Sequence, residues 1–316
     1  MLNKKSKIFV AGHNGMVGSA IIRKLKDLKY KKIFFQSRKQ LDLMDQKKVY
    51  DYINKIKPNA VILAAAKVGG IKANNEKRAE FIFNNLAIQN NVIDSSFKNG
   101  VKNLIFLGSS CVYPRNSKIP IKENYLLSDY LEKTNEPYAI AKIAGINLCE
   151  SYNFQYGVNY KCLMPCNAYG INDNYDSNSS HFFPALIRKI VNALKTNKDY
   201  IEIWGSGKPL RELIFSDDIA DACVHFLKKK KKNNLINIGT GNEMTINNYA
   251  KYIMQHLGVN LKIIHKDIKF DGTRRKLIDS SLARKYGWKY KTKLDVGLSI
   301  TINDYLKRQV FINRQT

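Results

Sequence analysis

The stretch Ile8-Phe9-Val10-Ala11-Gly12-His13-Asn14-Gly15-Met16-Val17-Gly18 is a short apolar run that ends in three glycines and continues into an amphipathic pattern. A strand, a tight turn and a helix in that order form the start of a dinucleotide-binding βαβ unit. The first glycine allows the turn and the second lets the backbone approach a pyrophosphate. The third lets the helix pack on the strand. A pyrophosphate would rest at the helix N-terminus, with His13, Asn14, Met16 and Val17 lining the same turn. The end of the next strand decides which dinucleotide fits. It reads Phe34-Phe35-Gln36-Ser37-Arg38-Lys39, with no acid before Asp42. An acid there would hold the ribose hydroxyls, whereas Arg38 suits a 2′-phosphate, so the expected cofactor is NADP(H).

Outward from this stretch, short apolar runs alternate with helical patterns. Strands are predicted at Lys7–Ala11, Lys32–Gln36, Ala60–Leu63, Asn103–Gly108 and Asn159–Met164. Helices are predicted at Met16–Lys26, Lys47–Ile56, Ala79–Lys98 and Pro137–Tyr156. That alternation predicts an α/β fold, a Rossmann-type doubly wound parallel sheet. Pro137 fits a first helical turn, where its missing N–H costs nothing. After Pro165 the pattern loosens, with polar loops at 172–180 and a Gly-Ser-Gly turn at 205–207, which predicts a smaller, interwoven C-terminal lobe. The expected division is a NADP-binding domain over 1–165, with segments near 212–238 returning to it, and a mainly substrate-binding lobe over 166–316.

Bulk properties exclude several classes. Hydrophobic residues are 44% and charged residues 25% of the 316, ordinary for a globular protein. No apolar stretch approaches the ~18 residues that span a bilayer, and the first apolar run is too short for a signal-peptide core. No membrane association and a cytoplasmic location are therefore expected. The five cysteines (111, 149, 162, 166 and 223) are odd in number and lack metal-ligand spacing, which argues against a disulfide framework or a zinc site. The net charge of +27 admits nucleic-acid binding or a field that draws in small polyanions. The lysines are dispersed, the run at Lys228–Lys232 follows a helical segment, and no nucleic-acid motif accompanies them. No nucleic-acid partner is expected.

Tyr138 and Lys142 lie four residues apart, on one face of the predicted helix. An ammonium near a phenol favours the phenolate and is expected to lower the Tyr138 pKa, making a proton donor and acceptor for carbonyl–alcohol chemistry. Ser109, at the C-terminal edge of a parallel strand, faces the ligand crevice and can hydrogen-bond a carbonyl that Tyr138 protonates. Ser109, Tyr138 and Lys142 form a triad.

Triad and glycine turn together resemble the extended short-chain dehydrogenases. Longer blocks are similar to the GDP-L-fucose synthases within that family: 11–20, 63–71, 107–114, 135–145, Trp204-Gly-Ser-Gly and Asp271-Gly-Thr. The resemblance implies that GDP-4-keto-6-deoxy-D-mannose, a GDP-sugar, is epimerised at C3 and C5 and then reduced at C4 with NADPH. Inversion needs a base on one face and an acid on the other; Cys111 can be the base and His181 the acid. The resemblance also implies cofactor contacts at Leu107, Gly108, Ser109, Ser110, Lys142, Pro165, Cys166, Asn167, Ala168 and His181. It implies substrate contacts at Lys189, Trp204, Arg211 and Asp271, and a homodimer built on the helices Ala79–Lys98 and Pro137–Tyr156. Departures from the family pattern fall at Cys166, Ala168 and Arg274. Two other readings stand beside this one. A related GDP-4-keto-deoxysugar enzyme would lack Cys111 or His181, and a non-catalytic binding module would have a damaged triad.

Overall fold

The computed structural model describes residues 2–229, 234–266 and 271–313. Lys230–Lys232 of the basic run lie outside the described residues. Six parallel strands form the main sheet: β1 (Lys7–Ala11), β2 (Lys32–Phe34), β3 (Ala60–Leu63), β4 (Asn103–Leu107), β5 (Asn159–Pro165) and β9 (Leu235–Ile238). They lie in the order β2-β1-β3-β4-β5-β9. All four residues of β3 are buried, as expected of a parallel strand covered on both faces. β2 stops at Phe34 rather than Gln36, because it is an edge strand whose pairing with β1 ends at Phe9↔Phe34.

Helices cover both faces. α1 (Met16–Asp27) packs against α7 (Ser216–Leu227), while α4 (Arg78–Lys98) packs against α2 (Gln46–Ile56) and α5 (Glu136–Tyr156). α2 begins where the Asp45 side chain accepts from the Lys48 N–H, an N-cap that satisfies an otherwise orphaned donor. α5 begins with Pro137 in its first turn and ends at Gly157, whose φ of 65° stops the helix in the left-handed region. The short α3 (Ile71–Glu76) follows β3.

A second core gathers around β6 (Asn167–Tyr169), α6 (Phe182–Lys195), β7 (Tyr200–Trp204), β8 (Leu210–Phe215), β10 (Glu243–Thr245), α8 (Ile246–His256), β11 (Lys262–Lys266) and β12 (Arg275–Lys276). β8 is central, pairing with β6, β10 and β12, while β11 pairs with β7. α9 (Ser281–Lys285) contacts β9, and α10 (Leu294–Asn313) brings Leu298, Ile302 and Tyr305 into the second core. The order of the main sheet reverses between β1 and β3, and ligands bind such sheets outside the strand C-termini at that point. Among the described residues, no helix is long and apolar enough to cross a membrane.

Candidate active site

The turn after β1 is tightly made. Gly12 has φ 92°, and a Cβ there would lie 2.6 Å from the Ala65 nitrogen. A Cβ on Gly18 would lie 1.9 Å from the Gly12 carbonyl oxygen, so α1 sits directly on the turn. Gly15 is the N-cap of α1 and offers no side-chain hydrogen bond to the first turn. A Cβ on it would meet only the Gly12 carbonyl, at 3.6 Å, so the backbone is open to an incoming group. These features suit a pyrophosphate at the helix N-terminus. The His13 ring lies against Phe35, centroids 4.6 Å apart, and burial lowers its pKa. Arg38 lies in the turn after β2, largely exposed, and pairs with Asp42 at 3.6 Å. The strand-end turn and cation thus fit a dinucleotide that carries a 2′-phosphate.

At the end of β4, the Ser109 hydroxyl stands beside the Tyr138 phenol, and the Ser109 oxygen accepts from the Cys111 N–H at 3.3 Å. Lys142 is buried; its ammonium donates to the Leu107 carbonyl at 2.8 Å and lies 5.9 Å from the Tyr138 ring centroid. The expected lowering of Tyr138 is not what this arrangement produces. Burial pushes the phenol above its ordinary value, the nearby Cys111 adds to the rise, and the polar Ser109 hydroxyl offsets only part of it. Burial also pulls Lys142 down to about 8. The reason for the correction is that desolvation disfavours the charged form of both partners. Tyr138 is therefore a neutral phenol, a group that donates a proton or a hydrogen bond rather than accepting one.

Two donors converge on the Cys111 sulfur: the Asn135 amide at 3.3 Å and the Lys276 ammonium at 3.5 Å. Neither was among the sequence candidates. Asn135 lies in a block the resemblance quotes, but nothing in the sequence pairs Lys276 with Cys111, since β12 alone carries it there. Arg211, buried on β8, donates to the Leu210 and Thr273 carbonyls at 2.8 and 2.7 Å. Its burial lowers its pKa, while Cys111, Asp271 and Glu132 oppose that shift. Arg211 therefore extends the site from the thiol into the second lobe.

His181 is the N-cap of α6, and desolvation of its imidazole lowers its pKa. Its loop is tied to the main sheet, since the Gly70 N–H donates to the Ser179 carbonyl at 2.9 Å. Phe81 stands edge-on to Tyr138 at 6.3 Å and beside Gly69, so that loop reaches the triad by packing. Trp204, at the end of β7, has the Lys189 ammonium 5.2 Å from its ring centroid. Asp271 accepts from the Ser206 N–H and hydroxyl at 2.9 and 2.5 Å.

Where β5 ends and β6 begins, Pro165, Asn167 and Ala168 are partly exposed. The Cys166 side chain is buried and its thiol is held protonated by that burial, so only its backbone can border a ligand. The Leu107 carbonyl is already engaged by Lys142. Arg274 is exposed and its carbonyl accepts from Leu210 N–H at 2.9 Å, so the loop ladder is kept without proline.

A model of the family described as NAD dependent epimerase/dehydratase matches residues 8–239. A putative GDP-L-fucose synthase 2 of Arabidopsis thaliana is 48% identical over 310 residues, 98% of this chain and 94% of that protein. The GDP-L-fucose synthase of Escherichia coli K12 is 43% identical over 314 residues, 96% of this chain and 98% of that protein. A GDP-mannoheptose C4 reductase from Campylobacter jejuni, solved with NADP bound, superposes with a TM-score of 0.87 at 36% identity, covering 97% of this chain and 100% of that one.

Proposed function

The chain belongs to the NAD dependent epimerase/dehydratase family, and from that premise we propose that it converts GDP-4-keto-6-deoxy-D-mannose to GDP-L-fucose with NADPH, as a 3,5-epimerase and 4-reductase. The observation that carries both halves is the position of the Cys111 sulfur. It stands beside the Ser109–Tyr138 pair with an amide and an ammonium directed at it. Reduction of a ketone alone has no use for such a thiol.

In this reading the turn Gly12–Gly18 and Arg38 hold the dinucleotide, which supplies a hydride to C4 when bound. Ser109 and Tyr138 donate hydrogen bonds to the C4 oxygen. That raises the acidity of the protons on C3 and C5, because the enolate left by their loss places its charge on the same oxygen. Cys111, as the thiolate, takes each proton and releases it to solvent before the next step, and His181, as the imidazolium, delivers one to the opposite face. Lowering of the His181 pKa makes its imidazolium a readier proton donor, and solvent returns a proton to the ring between steps. Once the configuration is set, Tyr138 gives its proton to the C4 oxygen. A phenol held neutral by burial suits both tasks.

The GDP-sugar enters over Trp204, with Lys189 and Arg211 supplying positive charge and Asp271 bracing the Gly205–Gly207 turn. A homodimer goes with this reading, formed through α4 and α5, which leave Phe83, Ile140 and Phe154 exposed. A cytoplasmic location goes with it too, since all five cysteines are free thiols. The test is product analysis: enzyme, NADPH and GDP-4-keto-6-deoxy-D-mannose should yield GDP-L-fucose. A reduced product that keeps the starting C3 and C5 configurations would contradict the epimerase half.

A further inference from the structure

Lys72, in α3, is a cation that the site as built so far does not use. α3 is firmly placed. The buried Asn74 amide donates to the Gly69 and Gly70 carbonyls at 2.6 and 3.0 Å, and Gly70 is bonded to the loop that carries His181. The other side of α3 meets the second lobe. A Cβ on Gly272 would lie 3.1 Å from Ile71 Cδ1 and 3.5 Å from an Arg211 guanidinium nitrogen. Ile71, Gly272 and Arg211 therefore share one small space at the mouth of the cleft.

From this position the Lys72 ammonium lies 5.8 Å from the centroid of the Trp204 ring, and the Lys189 ammonium, from α6, lies 5.2 Å from the same centroid. Trp204 is 48% exposed. Each cation gains from the ring face, but the two repel one another and Arg211 adds a third positive charge nearby. Among the described residues no carboxylate forms an ion pair with Lys72 or Lys189. The Lys189 ammonium donates to the Glu202 carbonyl at 2.8 Å, Asp271 is engaged by Ser206, and the Glu202 carboxylate is paired with Lys266 at 2.6 Å. An anion with several oxygens, bound between the lobes, is the partner such a cluster lacks.

We propose that Lys72 is a substrate-binding residue that closes on the diphosphate of the nucleotide sugar from the side of the main sheet, opposite Lys189, with Trp204 as the surface both ammoniums rest on. The proposal rests on the nucleotide-sugar reading above. It assigns affinity for the diphosphate to Lys72 and no part in the proton transfers, which lie at Cys111, Tyr138 and His181.

Calorimetric titration of the full chain with GDP, GMP and guanosine tests it, using wild type, Lys72→Gln and Lys72→Arg. Lys72→Gln should weaken GDP binding about tenfold, or about 1.4 kcal/mol, leave guanosine binding unchanged, and flatten the salt dependence of GDP affinity. Lys72→Arg should restore most of the loss, and Lys72→Gln should raise KM with kcat retained. Unchanged GDP affinity in Lys72→Gln would overturn the proposal, as would equal losses for GDP and guanosine, the mark of a displaced loop. A wild-type protein that preferred UDP to GDP would contradict the guanosine substrate instead, and the Lys72 titration would then be read with UDP and uridine.

Discussion

Cys111 and Tyr138 separate the two halves of the proposed chemistry at the scale of single residues. Cys111→Ala removes the base while leaving Ser109, Tyr138 and Lys142 in place. Solvent exchange at the substrate's C3 and C5 should fall by about 10²–10⁴-fold, the usual weight of a general base. Reduction of a 4-ketone that already has the product configuration should persist within about tenfold. Proton exchange read by NMR beside NADPH consumption checks both; exchange at the wild-type rate would remove Cys111 from the mechanism. Tyr138 and Lys142 were legible as a pair because four residues is one helical turn. Their ionisation was not, because burial depends on what the fold packs over them. The Asn135 and Lys276 contacts to Cys111 were illegible for a similar reason. Lys276 is brought from 165 positions away by the pairing of β12 with β8.

The loop between β6 and α6 carries His181, and its anchor to α10 is sensitive to pH. Asp173 is buried there with one carboxylate oxygen unpartnered. Its other oxygen accepts from the Asn174 N–H at 2.7 Å. Burial raises its pKa to about 7 from 3.8; the backbone hydrogen bonds and Arg308 oppose the rise, and Asp304 adds to it. Because the folded value lies above the unfolded one, stability is lost as pH rises from about 4 to about 7. Asp173→Asn abolishes that loss. The variant should match wild type in its Tm near pH 4 and exceed it by several degrees near pH 8, a gap on the order of 4 kcal/mol at most. Thermal unfolding across that range checks this, and parallel profiles would contradict it. The first half of the chain gave up its elements readily, since buried parallel strands are continuous apolar runs. β6, β10 and β12 are two or three residues long, too short to leave a periodic signal, so the small sheet that positions Arg211 and Lys276 emerged only with the fold.

For the whole molecule, charge and exposed apolar surface both point outward to partners. Part of the +27 charge is concentrated where Lys276, Arg211, Lys72 and Lys189 follow one path from the thiol to Trp204, which suits a polyanionic small molecule. On α5, Phe154 is 96% exposed and Ile140 lies about four turns away on the same face; large apolar side chains so placed mark an interface. For the proposed homodimer, wild type should scatter light as a dimer at micromolar concentration and Phe154→Asp as a monomer; a monomeric wild type would contradict the proposal. The central claim is that one site inverts two centres and reduces a third. It is tested most directly by running the reaction with NADPH in deuterated water and locating the label. Deuterium at both C3 and C5 of a GDP-L-fucose product is the predicted result; NADPH consumption with no deuterium at either carbon would contradict it.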